Sequence, residues 1–178
     1  MSIVQTNIDS ISKKHLKQQY DVLIRAYAET EKEIWGENYI RISFEEYKKV
    51  IENEVVFSAL LNDEVVGTIL LSNHGKGHFS FGLLAVDFKY KGLGIGRKLI
   101  AKAEQKAKSL GGIKMTLEIL KPQNQTLPFK ERLAEWYKRL GYRYLFTKSF
   151  IELKPNRVEK SKLLITPSDF DCYEKEIF

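Results

Sequence analysis

Three glycines at alternate positions, Gly92, Gly94 and Gly96, stand between an apolar run and the start of a predicted helix. Because glycine has no Cβ, a phosphate group can approach the backbone of such a turn closely. The first N–H groups of a helix lack partners within the helix and, together with the helix dipole, attract anions. Arg97 and Lys98 add positive charge beside the turn. This stretch therefore predicts a binding site for a pyrophosphate.

The glycine spacing distinguishes between known kinds of phosphate site. The P-loop spacing is absent, and the dinucleotide fingerprint needs a glycine at its sixth position, where a count from Gly92 meets Arg97. A Rossmann site is further disfavoured because the strands before the turn have the pattern of antiparallel hairpins. From these residues alone, a tight strand-to-helix turn without a ligand remains the alternative.

Two histidines and one cysteine are further residues that could do chemistry. His74 and His78 flank a glycine turn, but two histidines without a third ligand more often decorate a hairpin, so no metal site is predicted. Cys172 lies in an alternating strand pattern and is predicted to be a small packed side chain, not a nucleophile. No serine–histidine–aspartate triad is recognisable.

Length and composition limit the kinds of protein that this chain can be. The chain has 178 residues, of which 43% are hydrophobic, and this predicts one domain over residues 1–178. No apolar run is long enough to span a membrane, and the first residues lack the pattern of a secretory signal. A single cysteine cannot form an internal disulfide, which suits the cytoplasm.

The formal net charge of +6 would suit an anionic partner such as a nucleic acid or a phosphorylated cofactor. However, the lysines are spread along the whole chain without a dense basic block or an interleaved basic-aromatic face. The charge is therefore explained as well by a solvated lysine-rich surface, and nucleic-acid binding is disfavoured.

Hydrophobic periodicity predicts an α/β (α+β) fold with a mixed, mostly antiparallel sheet and helices on both faces. The chain divides into an N-terminal helical part (1–54), a strand meander with the glycine turn and its helix (55–110), and a C-terminal half (111–178). The predicted strands are Val55–Leu61, Val65–Ser72, His78–Val86, Ile113–Leu120, Tyr142–Leu153 and Ser168–Ile177. The predicted helices are one around Leu16–Tyr27, one that begins at the capping box Ser43-x-x-Glu46, Gly94–Leu110 and Pro128–Leu140. Residues 154–162 are predicted to be a basic, irregular connection.

The run Val86-Asp87-x-x-Tyr90-Lys91-Gly92-Leu93-Gly94-Ile95-Gly96 resembles the acetyl-CoA-binding segment of the GNAT superfamily of N-acetyltransferases. Lys91 stands where that family prefers Gln or Arg. The resemblance implies that backbone amides from Leu93 to Arg97 hold the pyrophosphate of acetyl-CoA, while backbone groups around Leu84 to Val86 pair with its pantetheine arm. The predicted cofactor-binding residues are Leu84, Ala85, Val86, Lys91, Gly92, Leu93, Gly94, Ile95, Gly96, Arg97 and Lys98.

The segment Leu133–Tyr142 is similar to the late helix and turn of the same family. Tyr137 then occupies the position of a tyrosine that often acts as general acid. Apolar residues at helical spacing around it would equally place Tyr137 in the core. Acetyl transfer requires such a group, because attack of an amine on a thioester needs one hydrogen-bond donor for the developing oxyanion and another for the leaving thiolate. The resemblance implies that the N–H of Val86 or of a close neighbour donates to the oxyanion. It also implies that the Tyr137 hydroxyl donates to the leaving thiolate.

Glu118 stands where several members of the family carry a strand glutamate that acts as base. Because strand residues alternate, Glu118 faces away from Leu117 and Ile119, and a glutamate on a solvated face is an equal interpretation. Glu152 and Glu174 are weaker alternatives. The loop from Lys121 to Pro128 is longer than is common in the family, and Lys130 stands at the distance from Tyr137 where the family usually has an asparagine. This loop either influences which amine is accepted or has no role in the reaction.

The sequence therefore predicts an N-acetyltransferase that transfers the acetyl group of acetyl-CoA to a primary amine by direct attack in a ternary complex. One alternative is a non-catalytic acetyl-CoA-binding module, against which the Tyr137 hydroxyl argues; a basic nucleic-acid-binding domain is the weaker one. The amine is left open between a small molecule and a peptide. The expected partners are acetyl-CoA and this amine, without a membrane, and a homodimer is compatible with the sequence.

Overall fold

A seven-stranded mixed sheet is the centre of the structure, a computed structural model that describes all 178 residues. The strands are β1 (Ser2–Gln5), β2 (Val55–Leu61), β3 (Glu64–Asn73), β4 (His78–Val86), β5 (Lys114–Pro122), β6 (Arg143–Ser149) and β7 (Ser168–Glu176). Their order in the sheet is β1-β2-β3-β4-β5-β7-β6, and every neighbouring pair is antiparallel except β4 and β5. The predicted mixed, mostly antiparallel sheet is confirmed.

Helices cover both faces of this sheet. They are α1 (Lys13–Thr30), α2 (Lys32–Trp35), α3 (Phe44–Asn53), α4 (Ile95–Ser109), α5 (Pro128–Arg139), α6 (Phe150–Leu153) and α7 (Val158–Ser161), with short 3-10 turns at Phe88–Tyr90 and Pro155–Arg157. One hydrophobic core lies under α4 and α5, and a second lies under α1 and α3 on the opposite face. No helix combines the length and apolar composition that a membrane crossing requires.

A bulge in β4 changes the face to which its side chains point. Leu83 has a positive φ of 48°, and the register with β3 shifts at this point. Phe79 and Phe81 pack in the core under α4 and α5, whereas Leu83 and Ala85 pack in the core under α1 and α3. An unbroken strand would keep all four residues on one face, since side chains alternate with a period of two.

The strands β4 and β5 separate soon after they pair. They are joined in parallel only over His78–Ser80 and Lys114–Thr116, while β5 continues beside β7 as far as Pro122. From Phe81 onward β4 has a strand neighbour on one side only. This divergence opens a wedge in the sheet, and the wedge is the floor of the cleft described below.

Two predictions about local structure are wrong. The strand predicted over Tyr142–Leu153 ends at Ser149, because Ser149 and Glu152 form a reciprocal capping box that begins α6. The N-terminal part, predicted to be helical, also contributes β1, which pairs with the edge of β2. In addition, the basic connection over residues 154–162 contains a 3-10 turn and α7.

Candidate active site

A cleft with a volume of 1510 Å³ occupies the wedge between β4 and β5. The helix α5 lines one side of it. Near the C-terminal end of this helix Trp136 lies against the backbone of Gly96, and six residues earlier, about 9 Å along the helix, Lys130 lies in the opposite end of the cleft. We call these the glycine end and the α2 end. Tyr137 lies on the wall between them.

Four consecutive backbone N–H groups at the glycine end have no acceptor within the protein. They belong to the N-cap residue Gly94 and to the first three residues of α4, Ile95, Gly96 and Arg97. The first amide of the helix to find a partner is that of Lys98, which donates to the Gly94 carbonyl at 3.1 Å. Free N–H groups in the first turn of a helix, with the positive end of its dipole, form a binding site for an anion.

Two of the glycines are required by this geometry. Gly94 adopts the left-handed conformation with φ 72°, which turns the chain into the helix and which other residues adopt only with strain. A Cβ on Gly96 would lie 3.2 Å from the Trp136 ring, so any larger residue would displace that ring. The glycine spacing thus has a geometric cause beyond a simple tight turn.

Most of the residues predicted to bind the cofactor border the cleft. Leu84, Ala85, Val86, Lys91, Gly92, Gly94, Ile95, Gly96 and Arg97 line it. Leu93 and Lys98 lie outside: the Leu93 side chain is 58% exposed, and its N–H donates to the Tyr90 carbonyl at 3.4 Å. The anion site of free amides therefore begins one residue later than predicted, at Gly94.

The free edge of β4 supplies further backbone groups. Asp87 donates its N–H to the Val66 carbonyl of β3 at 2.9 Å. Because successive N–H groups of a strand point to opposite sides, the N–H of Val86 is directed away from β3 and toward the cleft. Val86 lies beside the glycine end, since a Cβ on Gly96 would lie 3.8 Å from its side chain.

Tyr137 is both a core residue and a cleft residue. It is 6% exposed and packs against Phe81 and Tyr142, with ring centroids 5.8 and 6.1 Å apart, while its hydroxyl has no hydrogen-bond partner in the protein. Burial raises the pKa of Tyr137 and the nearby Tyr27 raises it further, so the hydroxyl keeps its proton at neutral pH. It is a hydrogen-bond donor without a protein acceptor, on the wall of a cleft.

Glu118 lines the cleft from β5, but its carboxylate is not free. Lys154, at the end of α6, forms an ion pair with it at 2.6 Å. The two alternative carboxylates lie elsewhere: Glu152 caps α6, and Glu174 pairs with Lys114 and Arg143 near the end of β7. Neither of these two borders the cleft.

Two other predicted elements lie outside the cleft or at its margin. The loop over residues 121–128 does not line it; Gln123 ties this loop to the chain at Pro167 and Asp169 instead. The rings of His74 and His78 lie with centroids 5.0 Å apart at a tilt of 41°, and they contact the hydroxyls of Ser80 and Thr116 respectively. No cluster of three or more metal-binding side chains is present.

Sequence reasoning missed most of the α2 end. Lys130 forms a buried ion pair with Glu31 at 2.9 Å, and Glu31 also accepts a hydrogen bond from the Trp35 indole at 2.8 Å. Tyr27, Arg41, Lys160 and Phe170 complete this end of the cleft. These residues come from distant segments of the chain, so no regular spacing in the sequence connects them. Apart from the position of Lys130 relative to Tyr137, no sequence pattern predicted that they would meet.

Comparisons with known proteins agree with this geometry. Residues 20–142 match the Acetyltransferase (GNAT) family. No curated protein matches the sequence.

Similar solved structures include an aminoglycoside 6'-N-acetyltransferase in complex with coenzyme A, at 20% identity and TM-score 0.75, with 100% of this chain and 98% of that chain covered. The aminoglycoside 6'-N-acetyltransferase from Enterococcus faecium has 20% identity and a TM-score of 0.71 over the same shares of the chains, 100% and 98%. A ribosomal-protein-alanine N-acetyltransferase from Brucella melitensis has 14% identity and a TM-score of 0.65, with 99% of each chain covered. At such identities the structures show a common fold. With the family match across most of the chain, they establish that this protein belongs to the GNAT family of acetyltransferases.

Proposed function

We propose that the protein is an N-acetyltransferase that moves the acetyl group of acetyl-CoA to a primary amine by direct attack in a ternary complex. One observation carries the proposal: the free amides of Gly94 to Arg97 and the unbonded hydroxyl of Tyr137 open into the same cleft. The first group can hold a diphosphate and the second can donate to a leaving thiolate. A common cleft for both is what acetyl transfer requires.

The residues fit acetyl-CoA in two places. The four free amides, with Lys91 and Arg97 beside them, match a doubly charged pyrophosphate. The unpaired edge of β4 between Leu84 and Val86 offers strand hydrogen bonds to the amide groups of a pantetheine arm. When bound, acetyl-CoA supplies an acetyl group activated as a thioester.

Three groups of the protein would then act on the reaction. The Val86 N–H stabilises the charge that develops on the acetyl oxygen, and the Tyr137 hydroxyl donates to the sulfur as it leaves. Glu118 would accept the proton of the amine, directly or through water, with its carboxylate held in place by Lys154. Positioning of both reactants in one cleft supplies much of the acceleration.

Direct transfer is favoured over an acetyl-cysteine intermediate. Cys172 is buried, does not border the cleft, and burial together with Glu118 raises its pKa to about 11. A thiol in this state is a poor nucleophile, since the thiolate is the reactive form. A single cysteine also fits the reducing conditions of the cytoplasm, where we propose that the protein works.

A non-catalytic acetyl-CoA-binding module is the second candidate function. It would have the free amides but no need for an unbonded tyrosine hydroxyl in the cleft, and buried hydroxyls normally have partners. Two of the similar solved proteins are named for their acceptors, an aminoglycoside in one case and a ribosomal-protein alanine in the other. Both small and peptide amines are therefore reasonable probes.

The test is a thiol-release assay with acetyl-CoA and a panel of amines. We expect saturable release that depends on an amine, with initial-rate plots that intersect as a ternary complex demands. Parallel plots would contradict direct transfer. Tight binding of acetyl-CoA with no release above hydrolysis for any amine would favour the non-catalytic module.

A further inference from the structure

Three cations at the α2 end of the cleft have no carboxylate partner. They are Arg41, which follows α2, and Arg157 and Lys160 of the segment after α6. None of them forms a salt bridge, although all three line the cleft. We call these three residues the cationic recess.

Aromatic rings and a backbone carbonyl, not acidic side chains, contact Lys160 and Arg41 of the recess. The Lys160 ammonium donates to the Arg41 carbonyl at 3.0 Å and lies 5.5 Å from the Trp35 ring centroid. Trp35 stacks on Tyr39 with 4.9 Å between centroids, and the Arg41 guanidinium lies 5.5 Å from the centroid of Tyr27. Cation–π contacts position a cation without neutralising its charge.

The carboxylates around the recess are already engaged. Glu31 is paired with Lys130, deep in the same end of the cleft. Glu46 accepts hydrogen bonds from the Ser43 backbone and hydroxyl.

Two further carboxylates line the cleft near the recess. Glu118 is paired with Lys154, and Glu159 is paired with Lys162. Each of the four carboxylates thus has a cation or helix cap of its own, and the recess has an excess of positive charge.

The titration of Lys160 is consistent with this excess. Burial, with the charges of Arg41 and Arg157, lowers the pKa of Lys160 to about 8, although Glu31 and Glu46 oppose the shift. An anion placed between these cations would therefore gain favourable interactions with groups that form no salt bridge within the protein.

The recess lies within reach of the reaction centre. Tyr27 connects the two, because it contacts Arg41 on one side and lies close enough to Tyr137 to raise the pKa of that residue. An acceptor whose amine lies beside Tyr137 would extend any second polar group toward Arg41 and Lys160. Positive charge there also favours the neutral, nucleophilic form of the amine.

We propose that the acceptor is a small amine that also carries an anionic oxygen group, a carboxylate or a phosphate, which the cationic recess binds. This proposal rests on the proposed function. A planar guanidinium beside an ammonium is suited to either group, because charge-assisted hydrogen bonds to such oxygens are the strong ones. A polycationic amine would instead place its additional positive charges against Arg41 and Lys160.

The first test compares matched amines with the wild-type protein and acetyl-CoA. The pairs are phenylalanine and phenethylamine, lysine and cadaverine, and phosphoethanolamine and ethanolamine, with spermidine as a polycation. We expect at least a tenfold higher kcat/KM for the anionic member of at least one pair, and the pair that responds identifies carboxylate or phosphate. Equal values in every pair, or a preference for spermidine, would overturn the proposal.

The second test uses variants of the recess. Arg41→Gln and Lys160→Met should each reduce the preference for the anionic member at least tenfold, mainly through a higher KM. The control is Lys108→Met, which removes an exposed lysine of α4 that does not line the cleft and should keep the wild-type preference. An unchanged preference in both recess variants would assign it to other residues and refute the proposal.

Calorimetry separates this inference from the proposed function. Protein saturated with coenzyme A is titrated with N-acetylphenylalanine, N-acetylphenethylamine, N-acetylphosphoethanolamine and N-acetylethanolamine, and the acetylated acids should bind at least tenfold more tightly. If no amine is acetylated, the proposed function fails, while tighter binding of the acids would still support the recess. Equal binding of acids and neutral amides would overturn the recess even in an active enzyme.

Discussion

The two ends of the cleft are built in different ways. The glycine end is formed by backbone groups of one continuous stretch, residues 84–97, in which the amides of Gly94 to Arg97 are free because a helix begins there. The α2 end is formed by side chains from three separate segments, residues 27–41, 118–130 and 150–160, together with Phe170. A backbone site depends on one local conformation, whereas a side-chain site depends on every residue in it. We therefore expect the α2 end to determine which amine is accepted.

The largest expected effect concerns the glycine end. Gly94→Glu should weaken acetyl-CoA binding more than about 1000-fold, or about 4 kcal/mol, because a carboxylate beside the free amides repels the phosphates. The measurement is calorimetric titration with acetyl-CoA.

Gly111→Glu is the matched control for this substitution. Gly111 follows the other end of α4 and, like Gly94, has a positive φ and open space where a Cβ would lie. Backbone strain of about 1–2 kcal/mol is thus common to both variants. A similar loss of affinity in both would assign the effect to strain and contradict the anion site.

The second effect concerns the ion pair that anchors the α2 end. Lys130→Met should lower the free energy of unfolding by about 3 kcal/mol, because it leaves the buried Glu31 carboxylate without its main partner. The measurement is urea unfolding at neutral pH. Lys138→Met on the same helix removes an exposed pair with Glu135 and should change stability little.

The same variant has a defined pH dependence. Burial raises the pKa of Glu31, but Lys130, Arg41 and the Trp35 hydrogen bond outweigh it, so the pKa in the folded state is lowered. The stabilisation by this carboxylate is therefore complete above the ordinary glutamate pKa near 4.3 and is lost as the pH falls through the lowered value. Without Lys130, burial raises the pKa of Glu31, so the carboxylate of the variant takes up a proton at a higher pH than that of the wild type. The difference between wild type and Lys130→Met should therefore shrink as the pH is lowered from about 7 to about 4. A constant difference would refute an electrostatic origin.

The third effect lies between the two ends. Tyr137→Phe should lower kcat about 100-fold, the lower end of general acid catalysis, and leave acetyl-CoA affinity unchanged. Tyr142→Phe is the control, because this neighbouring hydroxyl is bonded to Glu104 at 2.7 Å and serves the core. Wild-type turnover in Tyr137→Phe would remove this residue from the mechanism.

The smallest effect concerns the base. Glu118→Gln should lower kcat/KM about tenfold, because water in the open cleft can replace part of its action. Lys154→Met breaks the same ion pair but keeps the carboxylate. If both variants lower kcat/KM alike, Glu118 only anchors the segment after β6.

Local patterns in the sequence predict the elements whose causes are local. The capping box at Ser43 and Glu46 begins α3 as expected, and the glycine turn leads directly into α4. The same capping pattern at Ser149 and Glu152 lies within an apolar run that resembles a strand, and the predicted strand is too long as a result. The bulge at Leu83 has no local signal, since burial alternates through it without a break.

The chain order of residue types was sufficient to predict the fold class and a glycine turn that leads into a helix, because strand periodicity, glycine conformation and the free amides of a helix start are properties of neighbouring residues. The α2 end could be recognised only after folding. Glu31 meets Lys130, and Glu118 meets Lys154, because the divergence of β4 from β5 brings α2, α5 and the segment after β6 around one cleft. Contacts between residues so far apart in the chain depend on how the elements pack, and no spacing in the sequence encodes them.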